Sequence, residues 1–263
     1  MQKQKLLAVS VLLLGRLTVI MPPNSAAAQE LVAQSNNQSQ QLKKLLAQGR
    51  KLVEAGDFAG AIAFYQQAAT LEPKNARIFS SIGYLEDQKG NFPAAAAAYR
   101  QAVALDPKNA DFEYALGYSL GNLGDNAGAA AAYRRSTELD RNNVNAYLGL
   151  GVVLLRQRNY NAALWAYQRA IAREPNNARA YKLIGTLFMQ QGRSQEAISA
   201  LQRLIELSPQ DADAYYNLGL ALQGQKQNKP AIAAFKQALD LYQRQGNSEQ
   251  ARQAAASLRQ LVH

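Results

Sequence analysis

The chain has 263 residues, with 29 Lys and Arg against 19 Asp and Glu, a formal net charge of +10 and 48% hydrophobic residues. That hydrophobic share supports a packed core and excludes global disorder. There is no cysteine, and the single histidine, His263, is the last residue, which excludes disulfides, thiol chemistry, Cys-ligated zinc, iron–sulfur clusters, a Ser-His-Asp triad and any multi-histidine metal site.

Residues 1–28 read as a secretory signal. Lys3 and Lys5 supply a positive start, Leu6 to Leu14 an apolar run, and Pro22 and Pro23 a break before the small residues Ser25-Ala26-Ala27-Ala28. Cleavage at this A-x-A site leaves Gln29 as the new N-terminus. Arg16 interrupts the apolar run, and the alternative is an uncleaved membrane anchor. Leu6 to Met21 is short of the roughly 20 apolar residues that a span needs. Residues 29–41 are rich in Gln, Asn and Ser and are expected to be a flexible spacer.

A 34-residue period follows. Glycines fall at 49, 83, 117, 151, 185 and 219, and alanines at 61, 95, 129, 163, 197 and 231. Four residues after each alanine stands Tyr65, Tyr99, Tyr133, Tyr167, Leu201 or Phe235, and Pro73, Pro107, Pro175 and Pro209 close four of the units. The units are 42–75, 76–109, 110–143, 144–177, 178–211 and 212–245. Each reads as two helices, as in Tyr147, Leu150, Gly151 and Leu154 followed by Ala163, Leu164, Tyr167, Ala170 and Ile171. Gly56, Gly90, Gly124 and Gly192 suit the left-handed conformation that ends the first helix. Arg158 and Lys226 replace them in units four and six, where strain is expected. A mid-helix glycine costs about 1 kcal/mol relative to alanine, so six in one phase imply close helix approach with the aromatic filling the adjoining space. Residues 246–263 read as one more amphipathic helix. Ala251, Ala255, Leu258 and Val262 would cover the last hairpin, and Arg252, Gln253, Arg259 and Gln260 would face water, as the end of a repeat array requires.

The segments Phe79-x2-Ile82-Gly83, Tyr147-x2-Leu150-Gly151-x2-Leu154, Tyr181-x2-Ile184-Gly185-x2-Phe188 and Tyr215-x2-Leu218-Gly219-x2-Leu222 carry a resemblance to the tetratricopeptide repeat. The departures are Leu45 and Glu113 at the first aromatic position, Glu86 at the last, and Arg141 and Gln243 at the proline. The resemblance implies an all-α fold: an α-solenoid, a right-handed superhelix of six helix hairpins with a C-terminal capping helix. First helices would line a concave groove and second helices form the outer surface. The family's groove positions map here to the candidate partner-binding residues Arg50, Arg77, Tyr84, Tyr114, Tyr118, Leu148, Val152, Leu155, Lys182 and Tyr216. Tyr84, Tyr114, Tyr118, Leu148, Val152 and Leu155 form an apolar stretch with polar flanks, the usual anatomy of a binding surface. The alternative is that these side chains pack against neighbouring first helices.

Arg100, Arg134, Arg135, Arg169, Arg203 and Lys236 form a basic ridge on the second helices. It is expected as a solvated, solubilising face, with contact to anionic lipid, acidic polysaccharide or nucleic acid as the alternative. The groove has no base-reading pattern repeated from unit to unit, which disfavours a nucleic-acid partner. No paired acid and base and no phosphate loop emerge. The expectation is a non-catalytic scaffold with no cofactor and no metal, binding a protein or peptide of unknown identity in a periplasm, thylakoid lumen or cell envelope. The anchor alternative keeps the repeats outside the cytoplasm.

Overall fold

The computed structural model describes residues 9–11, 19–21 and 26–262 of the chain. Two short strands, β1 (Val9–Val11) and β2 (Val19–Met21), pair antiparallel with Ser10 opposite Ile20. Lys3, Lys5, Arg16, Pro22, Pro23 and Ser25, which carry much of the signal reading, lie outside the described residues.

After the strands come thirteen helices: α1 (Ala26–Glu54), α2 (Phe58–Leu71), α3 (Ala76–Gln88), α4 (Phe92–Leu105), α5 (Ala110–Asn122), α6 (Asn126–Leu139), α7 (Val144–Arg156), α8 (Tyr160–Arg173), α9 (Ala178–Gln190), α10 (Ser194–Leu207), α11 (Ala212–Gly224), α12 (Asn228–Arg244) and α13 (Ser248–Val262). The fold is all-α, as the sequence led us to expect. Among the described residues, no helix is long and apolar enough to cross a membrane.

The flexible spacer is corrected. Residues 29–41 lie inside α1. No proline or glycine interrupts 26–48. A helix nucleated where Leu42 and Leu45 are buried therefore propagates backwards through the good helix formers Ala, Gln, Leu and Glu. Gln38 Nε2 also donates to the Leu71 carbonyl at 3.0 Å.

A second period, unread in the sequence, starts the first helices. Asn75, Asn109, Asn143, Asn177 and Asp211 each accept a hydrogen bond from a backbone N–H in the first turn of α3, α5, α7, α9 and α11. Such caps satisfy donors that a helix leaves unpaired. At the turns inside the hairpins, Arg158 and Lys226 both have φ 58°. They hold the left-handed conformation that the equivalent glycines adopt freely, so the expected strain is present.

The mid-helix glycines make the expected close contacts. A Cβ at Gly117 would lie 2.8 Å from the Tyr133 ring, and one at Gly219 would lie 2.6 Å from the Phe235 ring. Buried aromatics from the second helices thus rest directly on first-helix backbone.

The chain forms two compact bodies, up to Pro107 and from Lys108. In the first, Leu42, Leu45, Ile62, Tyr65, Ile78, Ile82 and Leu85 make a core joining α1, α2 and α3. In the second, α5 to α13 pack in chain order, each helix on the next, and the first helix α7 also meets the first helices α5 and α9 on either side. At its end, Ala251 and Ala254 of α13 join Leu241 and Tyr242 in a buried cluster. Arg252, Gln253, Arg259 and Gln260 are exposed, as expected of an end cap. Ala254, rather than the expected Ala255, is the fully buried position.

Candidate functional site

In the N-terminal body, Tyr84 projects from α3 with 53% of its surface exposed. It lines a cavity of about 240 Å³ with Val53, Tyr65, Ser80, Ser81 and Leu85. Arg50 and Arg77 are exposed on α1 and α3. Burial raises the Tyr65 pKa, and the Arg50 charge partly offsets this.

In the C-terminal body, the expected site residues divide by environment. Tyr118 on α5 is 45% exposed. Tyr114, one turn earlier, is half-buried and packs on Tyr133 with ring centroids 5.9 Å apart. Burial pushes the pKa values of Tyr114, Tyr133 and Tyr167 upward, against a lowering influence of Arg179 on each. These phenols are therefore neutral hydrogen-bonding groups at physiological pH. The Tyr167 hydroxyl is buried without a hydrogen-bond partner.

Leu148 is a correction. It is 1% exposed and belongs to the core, because α7 lies between α5 and α9 and its fifth-position side chain is covered. Packing, the alternative to a binding role, holds at this position. Val152 and Leu155 are partly exposed. They line a cavity of about 610 Å³ with Arg156, Arg158, Tyr160, Leu183 and Gln190.

Lys182 is on the first-helix face, but its charge is already matched. Its Nζ lies 3.1 Å from Asp211 and 3.2 Å from Asp213. Burial acts to lower the Lys182 pKa, yet the hydrogen bonds and charges of the two carboxylates outweigh it and the net shift is upward. Tyr242 Oη donates to Asp213 at 2.7 Å. Tyr216 packs between Phe235 and Tyr242, with centroids 5.6 and 6.5 Å away. Lys182 and Tyr216 thus serve packing and charge pairing as well as surface.

The basic ridge is partly neutralised. In the C-terminal body, Arg135 pairs with Glu138 at 3.0 Å and Arg203 with Glu206 at 2.6 Å. Arg169 stacks over Trp165 at 5.3 Å. Arg134 and Lys236 are exposed, as is Arg100 in the N-terminal body. This geometry gives no support to an anionic-surface contact. Trp165 also meets Tyr147 edge-on at 6.1 Å. It covers the first helix of its own hairpin.

A family profile described as tetratricopeptide repeat matches residues 46–110, 114–179, 153–212 and 182–245. The chain belongs to the tetratricopeptide repeat family. Among solved structures it is similar to MamA, at 30% identity and TM-score 0.61, covering 63% of this chain and 97% of that one. It is also similar to YrrB, described as a TPR protein with an unusual peptide-binding site (23% identity, TM-score 0.61, 73% and 97% covered). PilW, described as a widely conserved type IV pilus biogenesis factor, matches at 18% identity and TM-score 0.68 over 81% and 98%. The last two likenesses concern the fold alone. No curated protein matches the chain.

Within the tetratricopeptide repeat pattern, sequence reasoning missed Arg156 and Arg158 as a pair lining one cavity and Arg179 as a charge acting on Tyr114, Tyr133 and Tyr167. The signal for Arg158 was present in its replacement of a recurring glycine.

Proposed function

We propose that this protein is a non-catalytic scaffold of six tandem repeats over 42–245. It holds an extended or helical segment of a partner protein on its first-helix face, in the assembly or tethering of envelope or membrane complexes. The observation that carries the reading is Tyr118. It stands nearly half-exposed on a first helix while Tyr133 and Tyr167, from the second helices, are buried. A large aromatic left partly open on a first helix supplies an anchor of the kind that dominates binding energy. Membership of a family of interaction scaffolds supports the same conclusion, as do the peptide-binding site named for YrrB and the pilus biogenesis role named for PilW.

We test this by recovering the partner on tagged protein. Tyr118→Ala is expected to lower recovery about tenfold or more, the scale of an interface hot spot, with the melting temperature unchanged. Lys236→Glu on the outer ridge is expected to leave recovery intact. Full recovery with Tyr118→Ala contradicts the reading. We also propose export through residues 1–28, supported by the residue pattern there. A reporter fused to residues 1–41 should leave the cytoplasm, and retention inside opposes this.

A further inference from the structure

The cavity between α7, the turn after it and α9 combines three features that packing does not require together. Val152, Leu155 and Leu183 give its lining an apolar part, and Arg156 and Arg158 line it together with Tyr160 and Gln190. Arg158 holds φ 58° where four of the six equivalent turns use glycine. A residue with a Cβ is disfavoured in that conformation, so the arginine is kept at a cost to the fold. Backbone strain retained in this way gathers at functional sites.

Neither guanidinium meets a carboxylate among the described residues. In the same body Arg135, Lys182, Arg193, Arg203, Arg244 and Arg252 do, whereas Arg156 and Arg158 keep their charge uncompensated, as Arg134 and Lys236 on the outer ridge do, but beside an apolar cavity. Arg156 donates one bond to the Gly121 carbonyl at 2.8 Å, which steadies its side chain while its other donors remain. The two guanidiniums give the cavity lining a fixed positive charge and a surplus of donors, with Tyr160 and Gln190 as its other polar side chains. A carboxylate supplies acceptors only, in the planar geometry that guanidinium matches.

We propose that this cavity recognises an acidic segment of a protein partner, seating an aliphatic side chain on Val152, Leu155 and Leu183 and a Glu or Asp carboxylate on Arg156 and Arg158. This rests on reading the first-helix face as the partner-binding surface, and it adds the chemistry of the partner.

The test uses the full chain and blocked nonapeptides alternating leucine with glutamate, or leucine with glutamine, followed by amide-resolved NMR. The glutamate peptide is expected to shift amides at 152–160 and 183–190. Replacing its glutamates by glutamine, or introducing Arg156→Gln or Arg158→Gly, should weaken binding about tenfold, the scale of a charge-assisted hydrogen bond. Arg158→Gly should at the same time raise the melting temperature by removing strain, and Lys226→Gly should raise it without changing binding. A turn residue with only a structural role cannot give loss of binding together with gain of stability.

Equal affinity for both peptides, or no shift at the cavity, overturns the proposal. So does retention of the protein on phosphatidylglycerol vesicles that Arg156→Gln abolishes while peptide binding stays intact. Shifts at Tyr114 and Tyr118 that ignore peptide charge would remove this inference and leave the first-helix reading standing. Full partner recovery with Tyr118→Ala would remove that reading instead.

Discussion

Tyr167 crosses α7 so closely at Gly151 that a Cβ there would overlap its ring. Alanine at 151 gains about 1 kcal/mol in helix propensity, but the ring is fully buried and has nowhere to move. We therefore expect Gly151→Ala to destabilise the protein by about 1–3 kcal/mol, as overpacking does. Gly121→Ala is the contrast. Its Cβ would meet Val153 Cγ1 at 3.6 Å and Ala129 Cβ at 3.8 Å, ordinary contact distances, so stability should hold or rise. Urea titrations of the two variants check both expectations. The sequence revealed Gly151 because one packing solution recurs at one phase, on which Gly121 does not fall. It did not reveal Leu148 as core. The fifth position of the period is Leu46, Ser80, Tyr114, Leu148, Lys182 and Tyr216, and how far each is covered depends on the side chains of the flanking first helices.

At the scale of elements, one polar network ties three helices together. Lys182 of α9 meets Asp211 at the start of α11 and Asp213 within it, and Asp213 accepts from Tyr242 of α12. The Tyr242 hydrogen bond, then the hydrogen bond and charge of Lys182, outweigh burial and hold the Asp213 carboxyl below its ordinary 3.8. A carboxylate with a depressed folded pKa stabilises the fold above its unfolded value, and that contribution is lost as pH falls through the folded value. Asp213→Asn should therefore melt lower than the parent at pH 6. The gap should close as pH drops below about 3.8, in thermal melts run between pH 2.5 and 6. A gap independent of pH would oppose this account. The network was illegible in the sequence because its members are 29 and 31 residues apart, across the period rather than on it. The helical course of 29–41 was missed for a different reason. Polar composition argues for a spacer, while the absence of helix breakers next to a packed helix argues for continuation, and continuation prevailed.

For the whole molecule, the fold class was legible because a period of 34 residues specifies hairpins that must stack on their neighbours. The site was legible only in part. Position within the repeat indicates a first-helix face, but burial, charge pairing and strain decide which of its residues remain available. In the C-terminal body they leave Tyr118, Val152, Leu155, Arg156 and Arg158. They withdraw Leu148 into the core and commit Lys182 to Asp211 and Asp213. The net charge of +10 is best viewed as solubility, since Arg135 and Arg203 on the ridge already face carboxylates. Reversing the charge of the exposed ridge residues Arg134 and Lys236, which meet no carboxylate among the described residues, should lower solubility in low salt and leave partner recovery unchanged, measured by precipitation and pull-down on the same samples. The most direct measurement of the central claim is photocrosslinking in the producing cell from benzoylphenylalanine placed at Tyr118, and separately at Lys236. The account predicts an adduct from position 118 that maps to one short segment of one partner, and none of that partner from 236. Adducts of the partner from 236 with none from 118 would contradict it.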